Sequence, residues 1–176
     1  MKTLTDQLAN YAAYHRDRRN IATHFVGIPM IVVAVATLLA RPAWPVAGWP
    51  VSAATLLTLL TVVYYLRLDL RFGAAMALLL GAALAAGQSL AAQSTAVWLG
   101  AGVGLFVVGW LFQFVGHVYE GRKPAFVDDL IGLIVGPLFV VAEAAFALGL
   151  RGEVLREIEA RVGPTRSAGA AARQRS

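Results

Sequence analysis

Residues 72–119 read FGAAMALLLGAALAAGQSLAAQSTAVWLGAGVGLFVVGWLFQFVGHVY, 48 positions without one Asp, Glu, Lys or Arg. One bilayer crossing takes roughly 20 residues of helix, so this stretch holds two, at about Phe72–Ala91 and Ala96–Gly116. A spanning backbone has to satisfy its own hydrogen bonds, which leaves helices or a closed barrel. Residues 77–84, ALLLGAAL, do not alternate between apolar and polar, so the barrel is excluded.

The rest of the chain agrees. Of 176 residues, 59% are hydrophobic and 14% charged, against about 25% charged in soluble domains. That balance argues against a soluble enzyme and a disordered chain. Cysteine is absent, so any transition-metal site has to use His, Asp, Glu or backbone oxygen. The net charge of +5 is concentrated at the ends and in short loops. It fits anionic lipid headgroups and the positive-inside rule better than nucleic acid, which is not expected as a partner.

Outward from the central stretch, three more apolar segments appear, at Ile21 to about Ala40, about Val46–Leu66, and Leu130–Leu150 with Pro137 and Glu143 inside it. Leu4, Leu8, Tyr11 and His15 recur at helical spacing, which predicts an amphipathic surface helix over 4–15. Asp17–Asn20 breaks the pattern, and Asn20 is the expected N-cap of the next helix. Arg151–Val162 reads as a second surface helix, with Val154, Leu155, Ile158 and Val162 on one side. Asp128 and Asp129 are expected caps for the fifth segment. Gly100 with Gly104, and Gly132 with Gly136, have the spacing of close helix contacts. The fold class is therefore an all-α integral membrane protein. It is a bundle of four to five transmembrane segments with an N-terminal amphipathic helix, forming one domain over 1–162 and a disordered tail over 163–176.

Charge sets the expected topology. With five full crossings, Lys plus Arg divides 8 inside and 7 outside; if the fifth segment does not cross, it divides 14 and 1. The second arrangement obeys the positive-inside rule. It predicts four crossings, both termini in the cytoplasm, and a re-entrant or protein-buried fifth segment.

The three histidines, His15, His24 and His117, then fall on one membrane face, because four crossings separate the first two from the third. His15 and His24 are nine residues apart, about 180° around a continuous helix, so they converge only if the chain turns between them. Trp110, Gln113, His117 and Glu120 follow one helical stripe, and a His with a carboxylate at i and i+3 shares a helix face. Several imidazoles plus a carboxylate suit a non-haem Fe(II) centre. Candidate metal ligands are His15, His24, His117, Glu120 and Glu143. Arg16, Arg18, Arg19, Arg122 and Lys123 form a basic rim suited to an anionic headgroup. Arg16, Arg19, Asn20, Gln113 and Lys123 are the candidate substrate contacts. Two other classes fit the same composition: a small transporter or channel with Glu143 and Gln113 on its path, and a haem or quinone redox protein using two histidines.

Tyr14-His15, Asn20, His24 and Pro29, and later Gly109-Trp110-Leu111-Phe112-Gln113-Phe114-Val115-Gly116-His117, Glu120 and Pro124-Ala125, resemble the membrane-bound 2-hydroxy fatty acid dioxygenases of fatty acid α-oxidation. The resemblance covers roughly residues 8–150. Between His117 and Glu120 the chain is one residue shorter than the fungal pattern. The resemblance implies an iron-dependent enzyme, with Fe(II) as cofactor and His15, His24 and His117 needed for activity. It implies a long-chain 2-hydroxy fatty acid and O2 as substrates and the fatty acid one carbon shorter plus CO2 as products. Fungal members are ER membrane proteins; the Ala- and Arg-rich composition here points to a bacterial inner membrane, with the active site on the cytoplasmic face.

Overall fold

The computed structural model describes residues 2–124 and 130–166. It is an all-α membrane protein with a single small β-hairpin among the described residues. The helices are α1 (Leu4–Ala12), α2 (Arg18–Leu39), α3 (Ala53–Leu68), α4 (Leu70–Ala91), α5 (Thr95–Glu120), α6 (Gly132–Ala147) and α7 (Gly152–Val162). Among the described residues α2, α4 and α5 are long and apolar enough to cross a bilayer. Asp128, Asp129 and residues 167–176, on which the expected caps and most of the expected tail fall, lie outside the described residues.

The contacts divide the chain into one unit of residues 1–28 with 111–176 and another of 29–110. In the second unit the expected helix from Val46 does not form. Strands β1 (Ala43–Val46) and β2 (Trp49–Ser52) pair antiparallel instead, with Trp44 opposite Val51 and Val46 opposite Trp49. Pro45 and Pro50 lack the N–H a helix needs, and Gly48 takes a positive φ at the turn. Ser52 then caps α3 through a reciprocal bond with Thr55. The 16 residues of α3 rise about 24 Å, short of the roughly 30 Å hydrocarbon layer. Trp44 and Trp49, at 61% and 76% exposure, have the character of interface anchors.

Asp69 separates α3 from α4. It is extended, and its carboxylate takes the Arg71 and Phe72 N–H groups at 2.9 Å each, capping α4. The two helices pack closely at Gly73, where a Cβ would stand 2.6 Å from the Leu66 Cα. At Gly87 a Cβ would stand 2.7 Å from the Ala36 carbonyl carbon. Gly102, rather than the expected Gly100 and Gly104, makes the corresponding contact on α5, with Leu38; nothing lies within 4 Å of a Cβ at the other two.

In the first unit α1 is not a free surface helix. Thr3 caps it reciprocally with Asp6, and it packs against α6 and α7. Leu8, Leu138, Phe139 and Ile158 are fully buried there. Arg161 on α7 bonds Asp6 at 2.8 Å, and this bond above all lowers the Asp6 carboxyl to about 2. Pro137 lies inside α6, and α6 and α7 meet at 114°. A Cβ on Gly136 would stand 2.9 Å from the Tyr11 hydroxyl, so the small residue lets α6 approach α1.

Candidate metal centre

The chain turns between α1 and α2 over residues 13–17, ahead of the Asp17–Asn20 break that its sequence suggests, and α1 stops at Ala12 instead of reaching residue 15. The helix α2 begins at Arg18, so Asn20 sits within its first turn and not at its cap. That turn brings His15 back over His24, and α5 supplies His117. Ring centroids are 4.5 Å apart for His15–His24, 4.9 Å for His15–His117 and 5.3 Å for His24–His117. One ring nitrogen from each falls within 4.8 Å of the others. All three rings are buried, at 0%, 1% and 7% exposure.

Hydrogen bonding fixes two tautomers. The Nδ1 of His15 lies 2.7 Å from the Tyr11 carbonyl, and the Nδ1 of His24 lies 2.9 Å from the Asn20 carbonyl. A carbonyl only accepts, so each Nδ1 carries the proton. The two Nε2 atoms face each other at 3.0 Å. In neutral rings both are lone pairs with no proton between them. Burial first, then the neighbouring His24 ring, hold the His15 imidazole well below its ordinary pKa. Two such lone pairs can be taken up by a cation. Metal–imidazole bonds of about 2.1 Å at a right angle would span about 3.0 Å, so the pair fits two positions on one ion. His117 Nδ1 is buried with no hydrogen-bond partner among the described residues.

Tyr11 stacks on His15 with ring centroids 4.2 Å apart and planes 2° from parallel, while Phe139 closes another side of the ring at 5.5 Å. Helix α2 approaches α5 at Gly116, where a Cβ would meet Thr23 Oγ1 at 2.2 Å and Asn20 Oδ1 at 2.4 Å.

Glu120 does not face this cluster. Its Oε2 accepts the backbone N–H groups of Arg16 (2.9 Å) and Asp17 (2.7 Å) and the Asn20 amide (3.2 Å). Its Oε1 accepts Arg166 at 2.6 Å. With both oxygens taken up by donors, the carboxylate organises the turn.

A family profile described as "2-hydroxy-palmitic acid dioxygenase Mpo1-like" matches residues 1–148. The chain belongs to the Mpo1-like family. It is 32% identical over 148 residues to the 2-hydroxy-palmitic acid dioxygenase MPO1 of Saccharomyces cerevisiae, covering 83% of this chain and 82% of the yeast protein. No solved structure matches.

In this Mpo1-like chain the other candidate residues divide. Arg16 is buried, and its guanidinium bonds the carbonyls of Ala12, His15 and Gly163. Glu143 lies 3.8 Å from it, an ion pair in place of a ligand position. Burial lowers the Arg16 pKa, opposed by Glu143 and Glu120. Arg19 grips Asp17 and lies over the Tyr119 ring at 4.6 Å, with its side chain 43% exposed. Lys123 is exposed. Asn20 Oδ1 and Gln113 Nε2 are buried without a hydrogen-bond partner among the described residues. Sequence reasoning did not single out Gly116 as the contact point, and it missed Arg166. Tyr11, four residues before His15, was readable as its helical neighbour.

Proposed function

We propose that the chain is an Fe(II)-dependent dioxygenase acting on a long-chain 2-hydroxy fatty acid, with His15, His24 and His117 as the protein ligands. The observation that carries this is the pair of Nε2 lone pairs 3.0 Å apart, with both Nδ1 atoms already committed to carbonyls. Membership of a family described by 2-hydroxy-palmitic acid dioxygenation gives the substrate class. The overall conversion is R–CH(OH)–COOH + O2 → R–COOH + CO2 + H2O. The substrate supplies all four electrons, so no co-substrate is required. Iron, when bound, supplies redox-active coordination positions at which a 2-hydroxy carboxylate and dioxygen can meet.

The protein's own work is positional. Tyr11 and Asn20 carbonyls hold two imidazoles in the tautomer that presents Nε2. Buried apolar neighbours such as Phe139 exclude water from the rings. Asn20 Oδ1 and Gln113 Nε2 offer an acceptor and a donor for the substrate's polar head. Arg19 and Lys123 are the cationic groups for guiding its carboxylate. Arg16 and Glu143 serve the fold of the turn, and Glu120 is a positioning group instead of a ligand. The acyl chain lies among apolar helices, where each buried methylene contributes about 0.8 kcal/mol.

Purified protein is expected to carry close to stoichiometric iron, or to take it up, and to convert 2-hydroxypalmitate aerobically to the C15 acid with release of CO2. Retained turnover after complete metal removal would overturn the assignment. The positive-inside count favours the cytoplasmic side for the histidine end, and the Ala- and Arg-rich composition favours a bacterial inner membrane. A C-terminal reporter is therefore expected to be active only in the cytoplasm; activity on the outer face sinks this orientation.

A further inference from the structure

The Glu120 carboxylate is fully enclosed, yet one of its partners comes from a segment 46 residues downstream. Arg166 Nη2 reaches Oε1 at 2.6 Å, and 37% of the Arg166 side chain remains exposed. The same residue binds the α1–α2 turn through its backbone: Arg166 N donates to the Arg16 carbonyl at 2.6 Å, and Arg18 N donates to the Arg166 carbonyl at 3.2 Å. Arg166 thus brackets Asp17 in a parallel bridge. Arg16 Nη1 bonds Gly163 in the same strap at 2.9 Å. The strap, residues 163–166, lies beyond residue 148, where the family match ends.

All three histidines are tied to this carboxylate. His15 directly precedes Arg16, whose backbone N–H donates to Glu120 Oε2 at 2.9 Å. His24 is oriented by the Asn20 carbonyl, and Asn20 donates its amide to Glu120. His117 lies one helical turn before Glu120 on α5. A buried carboxylate accepting charge-assisted bonds is a strong tether while its cation is present. Without the cation, Oε1 keeps no donor inside an enclosed site while Oε2 keeps its three, and losing the charged partner of a buried pair destabilises the arrangement it holds. We infer that Arg166 is a positioning residue: by completing the shell of Glu120, the strap fixes the turn that sets His15 against His24 and His117. The inference rests on reading the histidines as a metal centre, and the test separates the two.

Four variants in detergent are compared with the wild-type chain: Arg166→Ala, Arg166→Lys, a chain ending at Thr165, and a chain ending at Ala170. Co(II) is the probe, read by its visible spectrum and by titration. Loss of groups that orient a ligand typically costs about 10–100-fold in metal affinity. Arg166→Ala and the chain ending at Thr165 are expected to show a loss in that range and an altered Co(II) spectrum. Arg166→Lys is expected to restore part of both, and the chain ending at Ala170 to match wild type. His15, enclosed in wild type, is expected to react faster with diethyl pyrocarbonate in Arg166→Ala, as read by peptide mass spectrometry. Wild-type Co(II) affinity and spectrum in Arg166→Ala and in the Thr165 chain would overturn the inference. If wild-type protein binds no Co(II), the metal reading fails; the His15 modification rate then decides alone, an increase supporting the positioning role and an unchanged rate refuting it.

Discussion

Replacing His24 or His117 with alanine is expected to abolish turnover while leaving membrane insertion intact. Outer groups that merely orient a ligand cost about 10–100-fold when removed, so loss of a coordinating nitrogen is expected to exceed about 100-fold. Insertion depends on the apolar length of α2 and α5, which a single His→Ala exchange does not shorten. Without metal, His24→Ala relieves two lone pairs held 3.0 Å apart but also empties the volume of a buried ring and frees the Asn20 carbonyl, so a lowered Tm is expected there. The ligand-linked gain in stability is the discriminating measurement. In wild type, divalent metal at about 100 times its Kd is expected to add about 2.7 kcal/mol, seen as a rise in Tm; in either variant that rise is expected to vanish. Near-normal turnover in both variants would remove these residues from the site.

Gly116→Ala is the second large effect. A methyl group there would stand 2.2 Å from Thr23 Oγ1 and 2.4 Å from Asn20 Oδ1, with the Asn20 carbonyl oxygen at 3.3 Å. The side chains have little room to give, because the Thr23 hydroxyl already donates to the Asn20 carbonyl at 2.7 Å. Overpacking of this kind costs about 1–3 kcal/mol. The first turn of α2 has to move away from α5, and it carries both His24 and the carbonyl that orients its ring. Lowered Tm and weakened metal binding are therefore expected together. Gly104→Ala on the same helix meets nothing within 4 Å and is expected to behave as wild type, so equal behaviour of the two variants would refute the close contact at Gly116.

What the sequence reveals follows the range of the interactions. The apolar lengths of α2, α4 and α5 are local properties, and they emerge nearly as read. So does the meeting of His15, His24 and His117: the count of crossings puts them on one face, helical geometry makes a turn before His24 the condition for convergence, and the resemblance to the dioxygenase family groups the three. The hairpin over 43–52 was masked because Trp44, Val46, Trp49 and Val51 are as apolar as a span; only the prolines at 45 and 50 and the Gly48 turn mark it. Glu120 lies one turn from His117, which makes a ligand and a turn-holder look identical in one dimension. Its actual donors are backbone N–H groups about a hundred positions away, and no side-chain pattern announces them. Arg166 is one of several arginines in an Ala- and Arg-rich tail, and only its long-range pairing distinguishes it.

The imidazole of His15 is locked to the carbonyl four residues earlier, in the last turn of α1, and lies flat on Tyr11 from that same turn. A nine-residue helix too short to traverse lipid therefore carries one arm of the site, while the other two arms are anchored in spanning helices. Fraying by a single turn at that end swings the ring out of register with its counterparts, so the mechanical steadiness of the shortest helix among the described residues governs how long the whole triangle stays assembled.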